Sequence, residues 1–168
     1  MEQAFIGLGT NLGARETNLA AAQKHLAGEP GIKVCGVSSI FETEPWGVQN
    51  QPGFLNQAVR IHTDLEPREL LAACKYIEQR MGRQAACRWG PRLIDLDILL
   101  YGTRVVLTKD LVIPHAHIME RRFELEPLAE LCPGLVIPGT AMTAQQALKQ
   151  CTDTGEVFRR AEQAAEQV

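Results

Sequence analysis

Two aspartates, Asp95 and Asp97, stand inside the apolar run from Ile94 to Leu100. Alternate side chains of a β-strand share a face, so this spacing predicts that both carboxylates point to one side of the strand. Two such groups raise each other's pKa unless a cation lies nearby, and Mg²⁺ favours all-oxygen ligands. The pair therefore predicts a magnesium site, unless the acids pair with basic residues or face water. The apolar residues are expected on the opposite, core-facing side: Ile94, Leu96, Ile98 and Leu100.

An arginine-rich loop leads directly into this strand. Between Arg80 and Ile94 the chain contains no Asp or Glu, and Gly90-Pro91 constrains the path of the loop into the strand. The planar guanidinium fork suits phosphate oxygens. The acid pair and the basic loop together predict a divalent metal ion that binds a polyphosphate. The arginines of the loop are Arg80, Arg83, Arg88 and Arg92.

A second group of residues indicates a pocket for a flat molecule. The segment from Thr43 to Phe54 is rich in Pro, Gly, Asn and Gln, which predicts an irregular loop, and it contains Trp46. Asn56 follows on the next predicted strand and offers both hydrogen-bond donors and an acceptor. Aromatic rings beside such an amide would select a heteroaromatic molecule with an amide-like edge. In the alternative interpretation, Trp46 and Phe54 cover the sheet edge and Asn56 caps a turn.

Composition limits the class of protein. The chain has 168 residues, a length typical of one domain, and its net charge of −3 does not favour nucleic acid or an anionic membrane. Its five cysteines form no Cys-x-x-Cys pair and are odd in number, which predicts reduced thiols and argues against zinc. The N-terminus lacks a signal-peptide pattern and no apolar run reaches bilayer length, so the protein is expected to be soluble and cytoplasmic.

The order of predicted elements is strand, helix, strand, strand, helix, strand. This order predicts an α+β fold, a ferredoxin-like antiparallel sheet flanked by helices, with the core helices on one face and long active-site loops on a shared edge. The second helix is expected to begin at Pro67 and to end at Gly82. The elements are expected at residues 4–8, 18–26, 32–42, 54–63, 67–81 and 94–100.

Three further segments complete the sequence prediction. Gly9-Thr10-Asn11-Leu12-Gly13 lacks the spacing of a phosphate-cradling loop, so a structural turn is favoured there. Thr143-Ala144-Gln145-Gln146 predicts a capping box that opens a last core helix. A single domain is expected over residues 1–168, with a core at about 4–150 and a frayed or surface helix at about 154–168.

The motifs, taken together and in order from about residue 4 to 140, resemble the 6-hydroxymethyl-7,8-dihydropterin pyrophosphokinase family. The combination of Arg-Trp-Gly-Pro-Arg with Asp-x-Asp is far more specific than either part. The matching segments are Gly9 to Gly13, Thr43 to Gly47, Gln51 to Asn56, Arg88 to Asp97, and Pro114-His115 with Arg121 and Phe123.

The resemblance implies transfer of a pyrophosphoryl group from ATP to the pterin hydroxymethyl group, with two Mg²⁺ ions held by Asp95 and Asp97. It implies only small-molecule partners, ATP as co-substrate and no nucleic acid or membrane, and a monomer is expected. Catalytic roles are implied for Arg83, Arg92, Asp95 and Asp97. Nucleotide contacts are implied for Glu78, Arg88, Trp89, Ile98, Leu111, His115 and Arg121. The implied pterin pocket consists of Thr43, Pro45, Trp46, Phe54, Asn56 and Phe123.

The chain departs from the family pattern in the arginine loop. Gln84-Ala85-Ala86-Cys87 follows Arg83 where a second arginine is usual, and Ala116 follows His115 where an aromatic residue or proline is common. His115 as a core or capping residue, and Arg121 as a partner of Glu124, remain alternatives. So do two other functions: a different metal-dependent phosphotransferase or nucleotidyltransferase, and a ferredoxin-like regulatory or RNA-binding module.

Overall fold

The computed structural model describes residues 1–43, 50, 52–82 and 93–161. The strands are β1 Glu2–Thr10, β2 Ile32–Val37, β3 Phe41–Thr43, β4 Phe54–Thr63, β5 Asp95–Tyr101, β6 Val106–Leu107, β7 Val112–Ile113 and β8 Val157–Arg159. The helices are α1 Arg15–Gly28, α2 Pro67–Arg80, α3 Arg122–Leu131 and α4 Ala144–Gln150, with a short 3-10 helix at Ile118–Glu120.

One antiparallel sheet organises the chain. Its order is β5-β1-β4, after which β4 pairs with β3 along its first half and with β2 along its second half, while β8 lies outside β3. The long β1–β4 ladder runs from the pair Glu2 and Thr63 to the pair Thr10 and Leu55. The expected ferredoxin-like sheet flanked by helices is confirmed.

Two hydrophobic clusters lie on opposite faces of this sheet. The first contains Leu8 and Leu96 from the strands, together with Leu19 and Leu26 of α1 and Leu70 of α2. The second contains residues of α3 and α4, and Phe5 and Leu99 are among its strand residues. The expectation of helices on one face is correct for α1 and α2 and wrong for α3 and α4, because β1 and β5 carry apolar residues on both faces.

A β-bulge in β5 changes the direction of its last residues. Ile6 pairs with Ile98 and Phe5 pairs with Leu100, so Leu99 is an additional residue on β5. The expectation that Leu100 shares the face of Leu96 is therefore wrong. Leu100 lies in the second cluster, beside Phe5.

Two other segments differ from the sequence expectations. The single strand expected over 32–42 is divided into β2 and β3. Between them, the Ser38 N–H donates to the carbonyl oxygen of Ala58 on β4, and the Ser38 hydroxyl oxygen accepts from the Ala58 N–H. The expectation of a surface helix from residue 154 is wrong at residues 157–159, because these residues form strand β8. This strand pairs with β3, whose outer edge needs backbone partners. Residues 162–168 lie outside the described part of the chain.

The last core helix begins as expected. Thr143 accepts a hydrogen bond from the backbone N–H of Gln146 at 3.2 Å, and the Gln146 side chain accepts from the Thr143 N–H at 2.9 Å. This reciprocal capping box confirms the start of α4. In the parts of the chain that the structure describes, no helix has the length and apolar character required to cross a membrane.

Candidate active site

A cavity of about 280 Å³ opens between the sheet and α3. Its walls come from the face of the sheet that carries both aspartates, from α3, and from the segment after β7. Residues from every class of the predicted site meet in it. The predicted residues that line it are Thr43, Phe54, Asn56, Asp95, Asp97, His115, Arg121 and Phe123.

Glycines on β1 leave room for this cavity. Gly7 pairs with Asp97 and Gly9 pairs with Asp95 across the β1–β5 ladder, and both glycines line the cavity. A Cβ atom built on Gly9 would lie 3.4 Å from Oδ1 of Asn56. Side chains at these two positions would fill the space above the acids. The expectation of a turn at Gly9 is wrong, because Gly9 lies within β1. The Gly-x-Gly alternation on a strand was the signal for this part of the cavity wall.

Asn56 is held in one orientation at the cavity wall. Its Nδ2 donates a 2.8 Å hydrogen bond to Oγ1 of Thr43 on the neighbouring strand, and Asn56 is only 5% exposed. The second N–H of Nδ2 and the Oδ1 acceptor remain for a ligand. Phe54 and Phe123 line the same cavity. A flat molecule with an amide-like edge therefore fits this end of the cavity.

The two aspartates lie at the other end, on the edge strand β5. The backbone N–H of Leu96, between them, donates to Oε1 of Glu78 at 2.9 Å, which attaches β5 to α2. Burial raises the pKa of Asp97, and the nearby Glu124 carboxylate raises it further, while His115 and Lys75 lower it. A divalent cation would relieve this accumulation of negative charge, so the donor set of Asp95 and Asp97 fits Mg²⁺.

The β5 bulge positions His115. The backbone N–H of His115 donates to the carbonyl oxygen of Leu99, the bulged residue, at 2.9 Å. Its Nδ1 accepts from the backbone N–H of His117 at 3.2 Å. Burial lowers the pKa of His115, Asp97 opposes that shift, and Arg121 adds to it. His115 is therefore a neutral imidazole near pH 7 that faces the acids from the cavity wall.

Arg121 and Glu124 form a buried ion pair on α3 and the residue before it. Nη1 of Arg121 lies 3.2 Å from Oε1 of Glu124, and both side chains are 8% exposed. The guanidinium carbon of Arg121 also lies 5.6 Å from the ring centroid of Phe123. The alternative in which Arg121 pairs with Glu124 is correct for this structure, and Arg121 lines the cavity as well.

Sequence reasoning missed Lys75 and Glu124 as cavity residues. Lys75 lies on α2 and its Nζ is 3.3 Å from Oε2 of Glu78. The spacing of Lys75 and Glu78 by three residues was the available signal, since it places both on one helix face. Glu124 offered a weaker signal, an acid among the apolar positions of α3.

Other predicted site residues lie away from the cavity or outside the described residues. The side chains of Ile98 and Leu111 belong to the first hydrophobic cluster. Glu78 is buried beneath β5 and contacts the backbone of Leu96 rather than lining the cavity. The predicted residues outside the described part of the chain are Pro45, Trp46, Arg83, Arg88, Trp89 and Arg92.

Residues at the end of β1, in the turn after it and in the first turn of α1 hold the described segments next to both predicted loops. Asn11 Nδ2 donates to the carbonyl oxygen of Pro52 at 3.0 Å, and Arg15 donates to that of Gly53 at 2.9 Å. Asn18 and Thr10 donate to the carbonyl oxygen of Leu93. These bonds agree with the structural role favoured for the turn, because they hold the two chain segments that flank the cavity.

The fold and the cavity define a class of protein: an α+β domain that holds an acid pair suited to a metal beside a pocket for a flat ligand. Comparison with known proteins identifies the family. The model of the 7,8-dihydro-6-hydroxymethylpterin-pyrophosphokinase (HPPK) family matches residues 5–133. The chain belongs to this family, which confirms the resemblance found in the sequence.

Curated relatives agree with the family match. The 2-amino-4-hydroxy-6-hydroxymethyldihydropteridine pyrophosphokinase of Methylorubrum extorquens is 46% identical over 92% of this chain and 97% of its own length. The protein of the same name from Bacillus subtilis is 45% identical over 85% of this chain and 86% of its own length.

A solved structure supports the fold. The Plasmodium falciparum HPPK-DHPS structure with pteroate superposes with a TM-score of 0.72 at 16% identity, covering 88% of this chain. This chain spans 44% of the length of that solved chain. At this identity the likeness concerns the fold alone.

Proposed function

We propose that the protein transfers the pyrophosphoryl group of ATP to the hydroxymethyl oxygen of 6-hydroxymethyl-7,8-dihydropterin, giving AMP and the pterin diphosphate in folate biosynthesis. One observation carries this proposal: a single cavity brings the acid pair of β5 together with the amide and aromatic rings of the flat-ligand pocket. In this reaction the pterin oxygen bonds to the β-phosphorus as the bridge between the α- and β-phosphates breaks. Binding both substrates in one cavity supplies the alignment that this displacement requires.

The pterin is proposed to bind at the Asn56 end. Its ring edge presents amide-like donors and an acceptor, which complement Oδ1 and the remaining N–H of Asn56. Thr43 fixes the orientation of that amide through the 2.8 Å hydrogen bond. Phe54 and Phe123 would contact the faces of the ring. Pro45 and Trp46, outside the described residues, are proposed to complete this pocket.

Asp95 and Asp97 are proposed to hold Mg²⁺, with two ions expected. When bound, the metal neutralises charge on the phosphate oxygens and lowers the pKa of a coordinated hydroxyl. His115 and Arg121 are proposed to contact the phosphates from the cavity wall, since both lie there beside the acids. Arg83, Arg88 and Arg92 are proposed for the same task from the loop outside the described residues, with Trp89 near the nucleotide. Ile98 and Leu111 are proposed near the nucleotide through backbone atoms, because their side chains lie in the first cluster. Glu78 is proposed to act there by holding β5 through Leu96.

Product analysis tests the proposed reaction. Purified protein is incubated with Mg²⁺ and ATP, with and without the pterin alcohol, and the products are separated by chromatography and ³¹P NMR. The expected result is AMP and pterin diphosphate in equal amounts, formed only with the pterin. Formation of ADP would identify a simple kinase, and free pyrophosphate a nucleotidyltransferase; either result would overturn the proposal.

Substitution of the acids tests the metal assignment. Asp95→Ala and Asp97→Ala should each lower kcat/KM by about two orders of magnitude or more, because metal-held charge neutralisation accounts for much of phosphoryl-transfer catalysis. Circular dichroism should show that both variants remain folded. Asp64→Ala is the matched control, since the Asp64 carboxylate is 63% exposed and pairs with the N-terminal amine. Wild-type rates in both cavity variants would contradict the assignment.

The protein is further proposed to act as a cytoplasmic monomer on small molecules alone. Among the described residues, Cys35, Cys74, Cys132 and Cys151 are all free thiols, which suits a reducing compartment. Sedimentation velocity at micromolar concentration should show a species near 18.5 kDa, and a dimer would contradict this state.

A further inference from the structure

Three side chains on different elements converge at one corner of the cavity. Asp97 lies on β5, His115 on the segment after β7, and Glu124 on α3, and each offers one ligand atom within 4.8 Å of the other two. Glu124 is the most deeply buried of the three, at 7% exposure. This set differs from the aspartate pair of β5, because it contains a nitrogen donor and an acid that the sequence analysis did not place in the site.

The Glu124 carboxylate is incompletely satisfied. Its Oε1 accepts from Arg121, but within the described part of the chain its buried Oε2 has no hydrogen-bond partner. The nearest imidazole nitrogen, Nδ1 of His115, lies 3.7 Å away and already accepts from a backbone N–H. A buried carboxylate oxygen without a donor is costly, and a water, a cation or another ligand usually completes such a site.

We propose that Asp97, His115 and Glu124 form a binding site for a borderline transition-metal ion such as Zn²⁺, in addition to the site proposed for Mg²⁺. One imidazole nitrogen and two carboxylates are donors that zinc accepts, whereas Mg²⁺ retains water and oxygen ligands. Ligand atoms at about 2.0–2.2 Å from a tetrahedral ion lie roughly 3.4 Å apart. The 3.7 Å separation of His115 and Glu124, and the other separations within the 4.8 Å limit, must therefore contract when the ion binds.

The surrounding charges permit this ion. Asp95 and Lys75 also line the cavity, and Arg121 neutralises one oxygen of Glu124 only. With Asp97 and Glu124 ionised, three carboxylates face the two cations Lys75 and Arg121, so a net negative charge remains for a divalent ion. Coordination through Nδ1 of His115 would replace its 3.2 Å hydrogen bond from His117.

The two metal sites share Asp97. Occupation by zinc would therefore compete with the magnesium that the proposed reaction requires, and zinc would act as an inhibitor. This consequence depends on the proposed function, but the binding of zinc does not.

Zinc titration in the absence of ATP and pterin tests the site directly. Zn²⁺ is partitioned between the protein and a chromogenic chelator, and Co²⁺ absorption reports the coordination geometry. We expect one equivalent to bind, and Glu124→Gln and His115→Gln each to weaken binding by roughly 10- to 100-fold or more, since even outer-shell partners of a metal have effects of that size. Circular dichroism checks that the variants are folded.

Two variants serve as matched controls. Glu126 lies on the same helix, is 30% exposed and pairs with Arg122, so Glu126→Gln should bind zinc like the wild type. Cys35 lies 3.5 Å from Nδ1 of His62 and offers a competing thiol and imidazole, so Cys35→Ser should also leave the affinity unchanged. Zinc binding that survives both Glu124→Gln and His115→Gln, or that disappears in Cys35→Ser, would overturn the proposal, as would a wild-type protein that binds no zinc.

An activity measurement separates this inference from the proposed function. Zinc should inhibit the magnesium-supported reaction of the wild type. At the same zinc concentrations, Glu124→Gln should retain the rate that it shows without zinc. A wild type that binds zinc at this site but forms no AMP would refute the proposed reaction and leave the metal site standing. Equal inhibition of both proteins would contradict inhibition through the site that contains Glu124.

Discussion

Single residues determine what the cavity can hold. Gly7 and Gly9 remove side chains from the β1 face opposite Asp97 and Asp95, so the acids face open space rather than packed atoms. Asn56 depends on a second residue, Thr43, for its orientation. The proposed recognition of a flat ligand therefore depends on a residue pair on adjacent strands.

Replacement of Asn56 by alanine should weaken pterin binding. The variant loses the acceptor and the donor that face the cavity, and the loss of a buried polar contact of this kind costs about 1–3 kcal/mol, or roughly 5- to 150-fold in Kd. Calorimetric titration with the pterin measures the change. Thr43→Val should have a smaller effect, since it removes only the bond that orients the amide. Unchanged affinity in Asn56→Ala would exclude this residue from the pocket.

Cys74 should be the least reactive of the described cysteines. It is fully buried in α2, and burial, together with the carboxylates of Glu78 and Asp97, raises the pKa of its thiol to about 12. Since the thiolate is the reactive form, Cys74 should resist an aromatic disulfide reagent at pH 8 while the partly exposed Cys35 reacts. Mass spectrometry after digestion identifies the labelled sites. Labelling of native Cys74 at the rate of Cys35 would contradict this prediction.

At the scale of elements, β5 is an edge strand held in place from two sides. Its inner edge pairs with β1, and its outer edge donates from Leu96 to the buried Glu78 of α2. At the bulge, the carbonyl oxygen of Leu99 accepts a hydrogen bond from the backbone N–H of His115. Backbone hydrogen bonds therefore hold the two acids and the histidine in place. This explains why two separate short segments can present these side chains together.

The bond between α2 and β5 predicts a stability difference. Glu78→Leu leaves the buried Leu96 N–H without this acceptor and should lower the free energy of unfolding by about 1–3 kcal/mol. Glu78→Gln keeps an acceptor oxygen of the same reach and should lose less. Urea unfolding followed by circular dichroism compares the two variants at one pH. Equal stability of Glu78→Leu and wild type would show that this contact does not hold β5.

At the scale of the molecule, the sheet forms one wall of each of two hydrophobic clusters. The first packs under α1 and α2, and the second under α3 and α4. Only the second cluster supports the helix that carries Phe123 and Glu124 into the cavity. Loss of packing on either face should therefore affect stability, but only one face should affect the site directly.

Matched truncations in the two clusters test this division. Leu19→Ala and Leu128→Ala each remove a fully buried side chain and should lower the free energy of unfolding by about 2–5 kcal/mol. Both should unfold in a single transition, because the sheet is common to the two clusters. At a temperature where both are folded, only Leu128→Ala should raise the KM for pterin. An equal rise in KM for Leu19→Ala would contradict the separation.

The strongest local signals in the sequence were correct. The strand Phe54–Thr63 and the start of α2 at Pro67 have the expected bounds, because alternation and proline chemistry act within a few residues. The same holds for the placement of Asp95 and Asp97 on one strand face, and both line the cavity. The family resemblance rests on such local motifs and needed no structure.

The amino-acid sequence alone determined the fold class, the acid pair and the capped helices. The spacing of apolar residues and the capping of helices are properties of neighbouring residues, so they can be seen in the sequence. Only the tertiary structure decided that Leu100 turns to the second cluster, that residues 157–159 extend the sheet, and that Lys75 and Glu124 join the cavity. Each of these depends on the register or packing of segments far apart in the chain. A bulge, a free strand edge or a buried carboxylate acquires its role from partners that no local pattern specifies.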